Sequence, residues 1–249
     1  MLDDIAAIPG ELLRDVDVLC LDAGGVVVFL DHHRLAALVS AHGVSTLDGD
    51  ALAFAEAEAK RRLEARTMTT FSWRRKHLPG ARAWAEMVGT MLHVAGASLD
   101  TLPALIDFIW TDHVRLNLWS KVPIGLPAAL NALRKTGVRV ALVSNSEGML
   151  EPLFVTLGIR DCFDFLGDSG ALGVEKPDPA FFRLVLDACN GTTDRALHLG
   201  DTFATDILGA RAAGVRTALV DPLGQYQGRH SDVLRVPSAR AVAEALANR

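Results

Sequence analysis

The first strong hydrophobic signal along the chain is Val18-Leu19-Cys20-Leu21, an unbroken apolar run that stops at Asp22 and two glycines, then turns apolar again at Val26-Val27-Val28. Continuous apolar runs of this length belong to strands buried on both faces of a parallel sheet. The pattern predicts a strand that delivers Asp22 to its C-terminal edge, where open α/β sheets bind their ligands. A strand ending in an ordinary Asx-type turn would look the same locally. Val138 to Val143 is a second such run and ends at Ser144-Asn145-Ser146. Between the two, from Leu35 to about Trp119, Ala, Leu, Glu and Arg dominate and no strand signal stands out. Within Asp50 to Arg66, Glu56 precedes Lys60 and Glu58 precedes Arg62 by the helical spacing of four, so this whole insert reads as helical.

Residues Met1 to Asp15 read as a leading arm with Pro9-Gly10 as a breaker. After Pro123-Ile124-Gly125-Leu126-Pro127 the periodicity predicts alternating elements: a helix from Pro127 to Lys135 stopped by Gly137, then the strand at Val138. Next come a helix over Met149 to Leu157, a strand over Phe163 to Leu166, a helix over Pro179 to Cys189 and a strand over Ala196 to Leu199. A helix over Ala204 to Ala213 closed by Gly214, a strand over Thr217 to Val220 and a last helix over Ala239 to Ala247 complete the series. Such alternation implies a parallel sheet with right-handed crossovers. There is no internal repeat.

Composition narrows the class. A chain of 249 residues, 50% hydrophobic and 22% charged, is long enough for a full core. Its net charge of -5 and pI near 5.9 argue against a general nucleic-acid binder. No apolar run is long enough to span a bilayer, and the acidic Met1-Leu2-Asp3-Asp4-Ile5 is unlike an export signal, so the expected location is cytoplasmic, with no membrane partner. Cys20, Cys162 and Cys189 are an odd number with no CxxC pair and read as small core residues.

Residues that chemistry can use recur at the predicted strand ends: Asp22, Ser144-Asn145, and Gly200-Asp201 with Asp206 a helical turn on. Glu175-Lys176-Pro177-Asp178-Pro179 adds a lysine between prolines that favour an extended turn. Taken singly, these have plain structural explanations: a polar turn at Ser144-Asn145, a surface lysine at 176, a helix cap at Asp201. In this order and spacing the chain resembles the haloacid dehalogenase-like (HAD) hydrolase superfamily, and the resemblance covers nearly all of it. It implies a Rossmann-like three-layer core over residues 15–31 and 121–249, with an all-helical C1-type cap over 32–120. It further implies Asp22 as the nucleophile that carries the phosphoryl group, and Mg2+ held by Asp22, the carbonyl of Gly24, Asp201 and Asp206. Ser144, Asn145 and Lys176 would hold the phosphate, Lys176 also serving catalysis. The implied activity is Mg2+-dependent hydrolysis of a small phosphorylated metabolite.

One position departs from the family pattern. Phosphatases of this family usually carry a second aspartate, a general acid and base, two residues after the nucleophile; here Gly24 stands in its place. A positioned acid or base is typically worth about 10²–10⁴-fold in rate. His32 or His33 could stand in, or the leaving group could need no proton. A branch resembling phosphonoacetaldehyde hydrolase, with Lys60 or Lys76 as Schiff base, and a protein that binds a phosphorylated ligand without turnover also fit; dehalogenases fit less well, because they need no metal. The basic runs Lys60-Arg61-Arg62 and Arg74-Arg75-Lys76-His77 are either a solvated helix face or an electropositive cap over an anionic substrate. Arg62, Arg66, Arg74, Arg75 and Trp73 are accordingly candidates for specificity, while Trp73, Trp84, Trp110 and Trp119 have the spacing of cap core.

Overall fold

The structure is a computed structural model that describes residues 8–43 and 47–249. A short helix α1 (Gly10–Leu13) leads into β1 (Val18–Leu21) and β2 (Phe29–Leu30). Four helices follow: α2 (His32–Ala41), α3 (Gly49–Ala65), α4 (Ala81–Val94) and α5 (Leu102–His113). The chain then runs through β3 (Trp119–Lys121), α6 (Leu126–Lys135), β4 (Arg139–Ser144), α7 (Leu150–Thr156), β5 (Phe165–Asp168), α8 (Ser169–Leu172) and α9 (Pro179–Ala188). It closes with β6 (Ala196–Gly200), α10 (Leu208–Ala213), β7 (Arg216–Val220), β8 (Arg235–Val236) and α11 (Ala239–Ala247).

Six strands form one sheet in the order β5-β4-β1-β6-β7-β8, every pairing parallel, so the expected Rossmann-like α/β core is what forms. The alternation of side chains along each strand sorts the apolar residues into two layers. Leu19 and Leu21 pack with Val140, Leu142, Leu197 and Leu199 under α6 and α11. Val18 and Cys20 pack with Ala141, Val143 and Ala196 under α9 and α10. Because β1 lies at the centre, its C-terminal end opens into the crevice where the strand order reverses, which places Asp22 there. Helices α2 to α5 enclose a separate apolar cluster of their own, joined to the sheet through the antiparallel β2–β3 ribbon.

Some elements differ from the sequence expectation. The arm contains α1, whose Leu12 and Leu13 are buried against the core; residues 1–7 lie outside the described residues. Val26 to Val28 form a buried turn whose amides converge on the Ala23 carbonyl. The β2–β3 ribbon and β8 are two or three residues long, too short to leave a periodic signal. The helix expected from Ala204 starts at Leu208, because Phe203–Ile207 forms a wide π-type turn that buries Asp206. The three cysteines are free and buried, and among the described residues no helix is long and apolar enough to cross a membrane.

Candidate active site

Strand ends bring the predicted residues together. Asp22 follows β1 directly, its amide donating to the Leu199 carbonyl at 2.9 Å, and Asp201 follows β6. Lys176 reaches both neighbouring acids, with Nζ 2.8 Å from Asp22 Oδ1 and 2.6 Å from Asp206 Oδ1. Asp22, Asp201 and Asp206 are all buried, and each offers a carboxylate oxygen within 4.8 Å of the other two. Close approach is possible only because of glycine: a Cβ at Gly25, where φ is +76°, would lie 1.9 Å from Asp201 Oδ2. At Gly200 a Cβ would lie 2.1 Å from Asp206 Cγ.

Ser144 ends β4 and lines the same cavity. Asn145 serves it differently from the phosphate contact expected of its side chain: the amide donates to the Lys176 carbonyl at 2.9 Å and accepts from the Lys176 N–H at 2.8 Å. It therefore fixes the backbone from which the lysine projects. Asp168, at the end of β5, receives the Ser146 hydroxyl at 2.6 Å and the amides of Gly148, Leu150 and Gly170, each at 3.0 Å, which sets the loop after β4. Asp206 also lies 3.0 Å from His198 Nε2.

The electrostatics follow from burial. Desolvation pushes the Asp22 carboxyl above the usual carboxylate range, partly opposed by Lys176. Asp201 is raised by the same burial and further by the charges of Asp22 and Asp206, with Lys60 pulling the other way. Burial acts on Asp206 too, but Lys176 and His198 overcome it and hold this carboxyl well below its ordinary value. Lys176, desolvated yet faced by two carboxylates, stays firmly an ammonium.

A residue that the sequence offered as part of a basic run or as a Schiff-base lysine, and not as a partner of the acids, completes the cluster. Lys60, on α3 of the helical insert, is 6% exposed, pairs with Asp201 Oδ2 and lies 3.1 Å from Glu56 Oε1. Glu56 in turn lies 2.8 Å from His32 Nε2. Burial alone would raise Glu56, but Lys60 and His32 bring it down to about 2. The Glu56 to Lys60 spacing was visible as a helix-stabilising pair; nothing local shows that this face of α3 docks on the sheet rim. The same network removes His32 from the leaving-group position, and His33 packs near Gly49 instead of lining the cavity.

The cavity above these groups has a volume of about 270 Å³ and is lined by both the sheet rim and the insert. Apart from Lys60, the basic runs do not line it. Arg61 and Arg62 pair with Glu58, Arg74 and Arg75 pair with Asp107, and Arg66 and Lys76 are exposed. They form a solvated face, and the electropositive cap is not built from them. Trp73, Trp84 and Trp110 pack on one another inside the insert with ring centroids 4.9–6.0 Å apart. Trp119 departs from them: it stands over Gly24 at the cavity wall, its indole Cδ1 3.4 Å and Nε1 3.5 Å from where a Cβ would lie.

The donor set suits a hard divalent cation. Among the described residues four buried carboxylates, those of Asp22, Asp201, Asp206 and Glu56, face two lysines, and a small cation of this kind takes oxygen ligands. The excess of negative charge is what such an ion would balance.

A family model described as haloacid dehalogenase-like hydrolase matches residues 16–214. Haloacid dehalogenase-like hydrolase domain-containing protein 3 of Bos taurus is 33% identical over 138 residues, 55% of this chain and 55% of the bovine protein. The chain thus spans about half the length of that relative. A phosphoserine phosphatase of Thermus thermophilus is 32% identical over 186 residues, 70% of this chain and 73% of the other. Among solved structures, the HAD-hydrolase YfnB from Bacillus subtilis, bound to magnesium, superposes with a TM-score of 0.65 at 18% identity, covering 93% of this chain and 97% of that one.

Proposed function

The chain belongs to the haloacid dehalogenase-like hydrolases, and on that premise we propose that it is a Mg2+-dependent phosphatase acting on a small phosphorylated metabolite through a phosphoryl group carried by Asp22. The observation that carries the proposal is the meeting of Asp22, Lys176, Asp201 and Asp206 at one sheet rim beneath the helical insert.

In this reading a carboxylate oxygen of Asp22 attacks phosphorus once the charge of the phosphoryl oxygens is partly neutralised. Lys176 supplies a fixed ammonium beside the nucleophile, and Ser144 holds a phosphoryl oxygen. Asn145 acts one step back, holding the Lys176 backbone in place. Bound Mg2+ would supply further neutralisation of the phosphoryl oxygens, with Asp22, the Gly24 carbonyl, Asp201 and Asp206 as its ligands. Residues 32–120 act as a cap that excludes bulk water during attack. A cytoplasmic setting suits the free thiols.

The Schiff-base alternative has no support: Lys60 is an ammonium clamped between Asp201 and Glu56, Lys76 is exposed away from the cavity, and a Schiff base needs a neutral amine at the substrate. Release of phosphate from p-nitrophenyl phosphate tests the proposal. It should require Mg2+ and be lost in Asp22→Asn, whose thermal unfolding still shows one cooperative transition. Turnover that survives in that variant sinks covalent catalysis at this position, and binding of Mg2+ and phosphate without any turnover points to a binding protein.

A further inference from the structure

Resting on the phosphatase proposal, we infer that the leaving group taken by this site is an uncharged aromatic body, so that its substrates are aryl phosphates. Three independent features of the cavity converge on this class.

The first is the wall. Leu63, Met68, Met87 and Trp119 from the insert line it together with Leu150 and Leu153 from the core. Thioether and indole groups favour flat apolar rings, and a cavity of about 270 Å³ suits a small ligand. The second is charge. Among the described residues lining the cavity the cations are Lys60 and Lys176, each already paired with two carboxylates. Glu86, Glu147 and Glu175 also line it. A carboxylate on the leaving group would meet acids and no free cation, a costly arrangement out of water.

The third is the missing proton donor. Position 24 has no side chain, and Trp119 stands against the space one would enter. The acids on the wall are placed for other contacts: Arg82 donates to Glu86 at 2.9 Å, Glu147 lies 3.8 Å from buried His113, and Glu175 is exposed. An alkoxide leaves poorly without a proton, whereas a phenolate delocalises its charge into the ring. In the first step a bond forms between an Asp22 oxygen and phosphorus, the bond from phosphorus to the aryl oxygen breaks, and its electron pair departs with the phenolate. In the second a water oxygen bonds to phosphorus, the bond to Asp22 breaks and the carboxylate is regenerated. The water's proton is released to solvent, from which the phenolate takes one up.

The test combines binding and turnover in the presence of Mg2+. Calorimetry compares 1-naphthylphosphonate with methylphosphonate, whose carbon–phosphorus bonds the proposal leaves intact; kinetics compare 1-naphthyl phosphate, acetyl phosphate and O-phosphoserine. The naphthyl ligand should bind at least about tenfold more tightly. Naphthyl phosphate should be hydrolysed about 10²-fold or more faster than O-phosphoserine. Equal affinities for the two phosphonates, or a preference for O-phosphoserine, overturns the aryl class. If the naphthyl preference holds but neither naphthyl phosphate nor acetyl phosphate is cleaved, the aryl pocket stands and the phosphatase proposal falls.

Discussion

Among the described residues, Lys60 is the lysine or arginine that the helical insert contributes to the acid cluster, and replacing it by Met isolates its charge while keeping the length of its stem. Lys60 and its partners Asp201 and Glu56 are 6%, 2% and 4% exposed, so water screens little of the interaction. In Lys60→Met, Asp201 loses its one ammonium partner among the described residues while Asp22 and Asp206 remain beside it. Removing one member of a buried pair costs about 3–5 kcal/mol, because the remaining charge stays out of water. Urea unfolding at pH 7 without divalent ions should therefore show a loss of that size. Mg2+ at a hundred times its Kd adds about 2.7 kcal/mol to a protein that binds it only when folded. With no ammonium competing for Asp201, Mg2+ should bind the variant more tightly, and its stabilisation at a fixed concentration should exceed that of the parent protein. A loss below about 1 kcal/mol in metal-free buffer, or an equal Mg2+ effect on both proteins, would refute the idea that this ammonium balances the metal-binding acids.

Gly25→Ala forces a Cβ to within 1.9 Å of Asp201 Oδ2 at a positive φ, and should raise the Mg2+ concentration needed for half-maximal turnover by about 10–100-fold, read from a metal titration. Asn145→Ala removes both bonds to the Lys176 backbone and should lower kcat by about 10²-fold with Mg2+ affinity unchanged; an unaltered kcat would deny Asn145 its positioning role. Glu56 has its carboxyl lowered from 4.5 to about 2 by Lys60 and His32, so its contribution, roughly 3 kcal/mol, is complete above pH 4.5 and disappears as pH falls toward 2. Glu56→Gln should flatten the fall in stability across that window, measured by denaturant midpoints from pH 2 to 6.

The strand ends were legible from one dimension. An apolar run buried on both faces must be followed by the residue at the sheet rim, so Asp22, Ser144 and Asp201 declared themselves through the lengths of the runs before them. The same logic yielded α11 with its bounds intact, since its apolar positions recur with the helical period. Local pattern also exposed Glu56 and Lys60 as partners on one helix, but not the surface onto which that helix folds. Tertiary structure alone decided that Lys60 meets Asp201, 141 residues away, that Asn145 grips the backbone of Lys176, and that Trp119 stands beside the position from which an acid at residue 24 would project. It also kept Arg61, Arg62, Arg74 and Arg75 away from the cavity and gave them to Glu58 and Asp107. The reason is physical: periodicity reports which side of an element is buried, because burial follows apolar area, whereas the identity of a partner depends on how rigid elements pack, and that is set by contacts summed over the whole chain.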